Sequence, residues 1–159
     1  ELDIDVIVGI KEVERLRKKL EKLTKKKCIP VWHKSRGLEY WEKMVKNYNY
    51  VAIGGIVTRE IKPSDYPIFT TLLRIAKNNK CKVHGLGFTN LRGLKKYKFY
   101  SVDSTAWIYG NRGGFLYFFN GRSRDKKNKP IGTRLKSKDV AIHNFKEWVK
   151  FQKYALKNL

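Results

Sequence analysis

Asp103 stands in the segment Phe99-Tyr-Ser-Val-Asp103-Ser-Thr105, in a chain with 14 acidic residues against 36 Lys and Arg. An aspartate in such a setting can serve as nucleophile, base or metal ligand. A helix cap or a salt bridge is the structural alternative. Four other groups recur near the ends of apolar runs: Asp3 and Asp5, then Trp32-His33-Lys34, Gly54-Gly55, and His84-Gly85-Leu-Gly87. Glycines inside a strand mark a bulge, tight packing or close approach of another group. Backbone amides exposed there would suit a flat ligand such as a base. Gly85 and Gly87 form only a G-x-G, too little for a dinucleotide fingerprint. His33 and His84 read equally as core histidines or as site residues, and Asp3 and Asp5 alternate toward opposite faces of a strand.

The elements that would position these residues follow from the switching hydrophobic period. Leu2–Val8 reads as a strand, and Ile10, Val13, Leu16, Leu20 and Leu23 then recur at helical spacing. Residues 29–33 form a short extended run, followed by a helix through Leu38, Trp41, Met44, Val45 and Tyr48. Residues 50–57 are the clearest strand, and Pro63 opens a helix with Phe69, Leu72, Leu73 and Ala76 inward. Residues 81–87 and 99–103 are further strands, separated by a short helix near Leu91 and Leu94. The alternation predicts βαβ units and a parallel sheet of about five strands, either open or part of a (β/α)8 TIM-like barrel. Such folds gather function at strand carboxyl ends, where these residues fall.

Three segments are expected along the chain: the α/β part over 1–120, a basic loop over 121–138, and an amphipathic helix over 139–159. That helix would bury Val140, Phe145, Trp148, Val149, Gln152 and Leu156 along one side. The strand-like run Arg112–Phe119 precedes the loop, which carries eight Lys or Arg and the single acid Asp125. The loop reads either as a solvated segment or as a contact to backbone phosphates.

A formal charge of +22 points to a polyanion, nucleic acid before membrane. Lys34, Arg36, Arg59, Arg112, Arg122 and Arg124 are the candidate phosphate contacts, and Trp32, Trp107 and Tyr109 the candidate stacking surfaces. Cys28 and Cys81 lack metal-ligand spacing and read as free thiols, so no structural zinc, other metal or cofactor is expected. No leader or long apolar span is visible, and a cytoplasmic setting is expected. The chain opens on Glu1 without an initiator Met, which suggests part of a longer protein.

The segments Tyr50–Val57, Lys82–Gly87 and Phe99–Thr105, in this order, resemble the tRNA-guanine transglycosylase superfamily. The closer likeness is to its phage-type members proposed to place 7-deazaguanines in DNA. The resemblance covers most of residues 1–120 and implies the last strands of that family's barrel. It implies a nucleophilic role for Asp103 and a base-facing role for Gly54 and Gly55. Asp3 or Asp5 would read the guanine edge, and Trp32 or His33 would stand where the family has a base-contacting glutamine. His84, Gly85 and Gly87 would border the pocket, and Ser104 and Thr105 follow the nucleophile. No Cys/His zinc site follows the barrel-like part, which favours DNA over tRNA as partner. The family's first strands, with its general acid/base aspartate, are absent from this sequence. A missing barrel half, from the same or another chain, is therefore an expected partner, alongside guanine or a 7-deazaguanine. Two other readings stand beside it: a non-enzymatic nucleic-acid-binding module, and a carboxylate-dependent nuclease or hydrolase using Asp103 with His33 or His84.

Overall fold

The computed structural model describes residues 5–128 and 130–159, and the chain divides into two compact units. The first comprises residues 1–86 and 99–102, the second residues 87–98 and 103–159.

The first unit is a mixed α/β layer. It opens on a short helix, α1 (Asp5–Val8), and a longer one, α2 (Ile10–Thr24). Strand β1 (Val31–Trp32), helix α3 (Gly37–Asn47), strand β2 (Tyr50–Ile53), helix α4 (Ile68–Asn78), strand β3 (Lys82–Gly85) and strand β4 (Ser101–Val102) follow. The four strands lie parallel in the order β1-β2-β3-β4. Helix α5 (Leu91–Tyr97), of the second unit, stands between β3 and β4 in sequence.

Of the five expected parallel strands the structure forms four, and the first is corrected. Over residues 5–8 the segment read as a strand is helical, while Asp3 lies outside the described residues. A strand's amides and carbonyls need a neighbouring strand, whereas a helical turn satisfies its own, so β-branched composition alone does not hold a strand. Ile7 and Val8 are exposed rather than packed in a sheet. The stripe expected on α2 is also thinner than its spacing implied: Val13 and Arg17 are buried, while Ile10, Leu20 and Leu23 are exposed.

Because β1 and β4 are two residues each, ladder bonds alone hold little of this sheet. Its apolar layer does more. Trp32, Ile53, Val51 and Val83 are buried with Trp41 and Val45 of α3 and Phe69, Leu72 and Ala76 of α4. Each of the Val, Leu, Ile and Phe side chains among them contributes about 1.5–3 kcal/mol on burial. Trp41 donates its indole N–H to Leu72 O at 3.0 Å, tying α3 to α4. The edge-on pairs Trp32–Trp41 and Phe69–Phe99 have ring centroids 5.8 and 5.4 Å apart. Leu38, expected inward, is exposed.

The second unit is built around its last helix. After α5 come helix α6 (Tyr109–Gly113), strand β5 (Phe115–Phe119), strand β6 (Arg124–Asn128) and helix α7 (Ser137–Asn158). β5 and β6 form an antiparallel hairpin, with Phe119 opposite Arg124. Part of the expected basic loop is therefore a strand. Its composition is poor for β structure, but pairing against an aromatic strand overrides local preference. Asn120 closes the turn, its Oδ1 accepting the amides of Arg122 and Ser123 at 2.9 and 2.8 Å.

α7 covers the other edge of β5. Asn144 accepts the Tyr117 amide through Oδ1 at 2.8 Å and donates through Nδ2 to Phe115 O at 3.1 Å. Glu147 accepts the Phe119 amide at 2.7 Å, and His143 Nε2 lies 2.8 Å from Tyr117 O. A helix thus satisfies a strand edge that would otherwise be open to pairing. The buried side of α7 is Val140, Asn144, Glu147, Trp148, Phe151 and Ala155; Phe145, Gln152 and Leu156, expected inward, are exposed. No described helix is long and apolar enough to cross a membrane.

Candidate functional site

The carboxyl ends of β1 and β2 bring together His33, Gly54, Gly55 and Glu60. His33 follows β1 and is buried. Its Nδ1 lies 2.8 Å from Glu60 Oε2, while Glu60 Oε1 accepts the Ser35 amide at 2.9 Å. Burial pushes the Glu60 carboxyl up, but the bonds from His33 and Ser35 outweigh it and hold the group below its ordinary value.

The glycine pair has a steric cause in the same place. A Cβ at Gly54 would stand 2.8 Å from His33 Cε1 and 2.9 Å from Val31 Cγ1. Gly55 has φ +79°, a conformation L side chains rarely adopt, and its Cβ would meet Glu60 Oε2 at 2.7 Å. The Gly54 amide donates to Trp32 O at 2.8 Å, and Gly55 O accepts from Ile61 at 3.0 Å. Close packing of His33 and Glu60 accounts for the pair, and the Gly54 amide belongs to the sheet.

A second polar group lies one strand over. In the register Val31–Ala52–His84–Ser101, His84 and Ser101 are neighbours. His84 Nδ1 is 2.6 Å from Ser101 Oγ, which is also 2.5 Å from Tyr50 Oη. Side chains alternate along a strand, so His33, Gly54, His84 and Ser101 share one face of the sheet. Trp32 belongs to the other face. It is 1% exposed and donates its indole N–H to Gly37 O at 2.8 Å, which makes it a core residue rather than a stacking surface.

In the second unit, Asp103 directly follows β4 and is exposed. Its Oδ1 accepts the Gly87 amide at 2.7 Å, and Gly87 has φ 69°. The short helical turn after it is supported by Ser104, whose Oγ accepts the Ala106 amide at 3.1 Å. Thr105 is exposed. Trp107 packs edge-on against Phe145 at 5.7 Å, and Tyr109 is exposed. Gly85 is buried in β3, paired with Ile53 and Val102.

The candidate phosphate contacts divide by environment. Arg59, Arg112 and Arg122 are exposed. Lys34 pairs with Asp65 at 3.1 Å. Arg36 is buried, donates to Val31 O at 2.5 Å and lies over the Tyr40 ring, so its guanidinium serves packing. Arg124 is half-buried, with its guanidinium 4.6 Å from the Trp148 ring centroid. Burial lowers its pKa, opposed by Tyr117.

Glu60, Ser101, Tyr50, Asn144 and Glu147 are the polar groups that sequence reasoning passed over. Only Glu60 left a signal, as a lone acid just after the glycine pair in a basic chain. Asp5 lies in α1 rather than on a strand. Among the described residues no three His, Cys, Asp or Glu side chains cluster as metal ligands. Compared with protein-family models, curated proteins and solved structures, the chain matches none.

Proposed function

We propose that this chain is part of a base-exchanging transglycosylase that replaces guanine in nucleic acid, DNA before tRNA, with a 7-deazaguanine. The observation that supports it most directly is the placement of Asp103: an exposed carboxylate at the end of a parallel strand, with one oxygen fixed by the Gly87 amide at 2.7 Å. A bond of this kind restricts the carboxylate's orientation and spares orientational entropy at a reacting centre.

In the proposed reaction the Asp103 carboxylate attacks C1′ of the target sugar. The glycosidic bond breaks, its electron pair leaves with guanine, and the guanine takes up a proton. The incoming base then attacks C1′, loses its proton and expels the carboxylate. The target must leave its stack, and single-stranded or mispaired sites lower that cost by a few kcal/mol.

A second reading, a nucleic-acid-binding module without catalysis, is favoured by one observation: the second unit holds seventeen Lys and Arg against four acids. A base-exchange assay separates the two. Labelled guanine and 7-deazaguanine precursors are offered with DNA and with tRNA, to the wild type and to Asp103→Asn. Label entering one nucleic acid, reduced at least about 10³-fold by the substitution, supports the transglycosylase and names its substrate. Salt-sensitive binding with no label in either favours the module.

A further inference from the structure

We infer that the β5–β6 hairpin is a docking surface for the sugar–phosphate backbone of nucleic acid, separate from the chemistry at Asp103. The inference deepens the nucleic-acid reading above and rests on it only for the class of partner.

Charge is concentrated on this unit. Its seventeen Lys and Arg against four acids leave +13 of the chain's +22 on fewer than half of the residues. From the hairpin to the first turn of α7, Arg122, Lys126, Lys127, Arg134, Lys136 and Lys138 are all exposed, and among the described residues none of them forms a salt bridge. Asp125, the one acid there, is within 3.1 Å of the Ser123 hydroxyl.

The cations are also positioned. The Lys126 ammonium stands 3.6 Å from the Phe115 ring centroid, and that of Lys127 5.1 Å from the Phe118 centroid. Ring faces attract a cation and limit its wandering. Behind them the hairpin is held by the Asn144 and Glu147 bonds to β5, so the basic strand sits on a fixed support. Lysines on an edge strand also discourage pairing with other strands. One or two suffice for that, whereas six like charges within the seventeen positions 122–138 raise the local positive potential. A polyanion is drawn to that potential, and released counterions supply much of the affinity. Arg124 differs from its neighbours: sandwiched with Trp148 and Phe151, it supports the hairpin rather than the ligand.

The test is salt-dependent binding of a short labelled DNA strand and of its duplex, followed by fluorescence anisotropy on the full chain. The variant is Arg122→Gln/Lys126→Gln/Lys127→Gln. The control removes three exposed lysines of the first unit, Lys18→Gln/Lys43→Gln/Lys77→Gln. Each phosphate contact contributes about 0.7 to the slope of log K against log salt for a single strand and about 0.9 for duplex. The hairpin variant should therefore lower the slope by about two to three and weaken binding at least about tenfold near 0.1 M salt. The control should change the slope by less than about one. Equal losses from both variants, or no loss from the hairpin variant, would overturn the inference. So would wild-type binding to vesicles of anionic phospholipid with none to either oligonucleotide. Because Asp103→Asn leaves the hairpin intact, that variant should keep the wild-type slope. Base exchange surviving in a hairpin variant that binds normally would sink this inference alone; absent exchange with the predicted slope loss would sink only the transglycosylase.

Discussion

Glu60 Oε2 and His33 Nδ1 lie 2.8 Å apart, and the imidazole so oriented occupies the space beside Gly54 where any other residue would place its Cβ. One contact thus links an acid after β2, a histidine after β1 and the absence of a side chain between them. The bonds to Glu60 fix the ring, and the ring requires the glycine.

Gly54→Ala should therefore cost about 1–3 kcal/mol through overpacking, since both obstructing atoms belong to buried side chains on a short strand end. Urea unfolding would read this as a lower midpoint at unchanged slope. A variant as stable as the wild type would show that His33 and Val31 move aside freely.

The same pair makes stability depend on pH. Glu60 is held below its ordinary value in the folded chain, so the folded state binds fewer protons than the unfolded one as this group titrates. Its contribution is complete above the unfolded value, near the ordinary 4.5, and is lost as pH falls through the lowered one. Glu60→Gln should be less stable than the wild type at pH 7, and the gap should narrow below about pH 4.5. Melting temperatures of both proteins across pH 3–7 check the sign. A gap that widens in acid would contradict the assignment.

Much of this architecture is legible in the sequence, and the gaps have physical causes. The strands ending at Trp32, Ile53, Gly85 and Val102 announce themselves as apolar runs, and the buried face of α4 follows from Phe69, Leu72 and Ala76. Residues 5–8 look like a strand because β-branched residues suit strands, yet only a partner strand makes one. The hairpin left a usable signal in Asn120-Gly121 after five apolar residues, a turn dipeptide masked by the charges that follow. Among the candidate residues, the types His33, Gly54, His84 and Asp103 are visible as unusual residues near strand ends, but Glu60 reaches His33 across 27 positions, a distance no local pattern spans.

The two thiols should separate cleanly. Burial pushes Cys81 up to about 11, which keeps it protonated at neutral pH, and the thiolate is the reactive form. Cys28 is half-buried. In the native protein at neutral pH a thiol reagent should therefore modify Cys28 first, with Cys81 reacting only after unfolding. Peptide mapping identifies the modified residue, and early labelling of Cys81 would show that the chain just before β3 opens readily.

Apolar spacing on the last helix selects Phe145, whereas the fold relies on the residue before it. Asn144 is fully buried and satisfies both the Tyr117 amide and the Phe115 carbonyl. Asn144→Ala leaves those groups without their partner, at about 1–3 kcal/mol each. Phe145→Ala gives up mainly an edge-on contact with Trp107, worth about 1 kcal/mol or less. Thermal unfolding should rank the asparagine variant well below the phenylalanine one. Gly110 tests the same packing from the opposite side. A Cβ there would overlap the Asn144 side-chain amide and stand 2.9 Å from Phe115 O, so Gly110→Ala should also destabilise. Both substitutions disturb one contact, so together they should cost less than the sum of the two alone. Strict additivity would mean that Gly110 is needed for the carbonyl of Phe115 and not for the amide of Asn144.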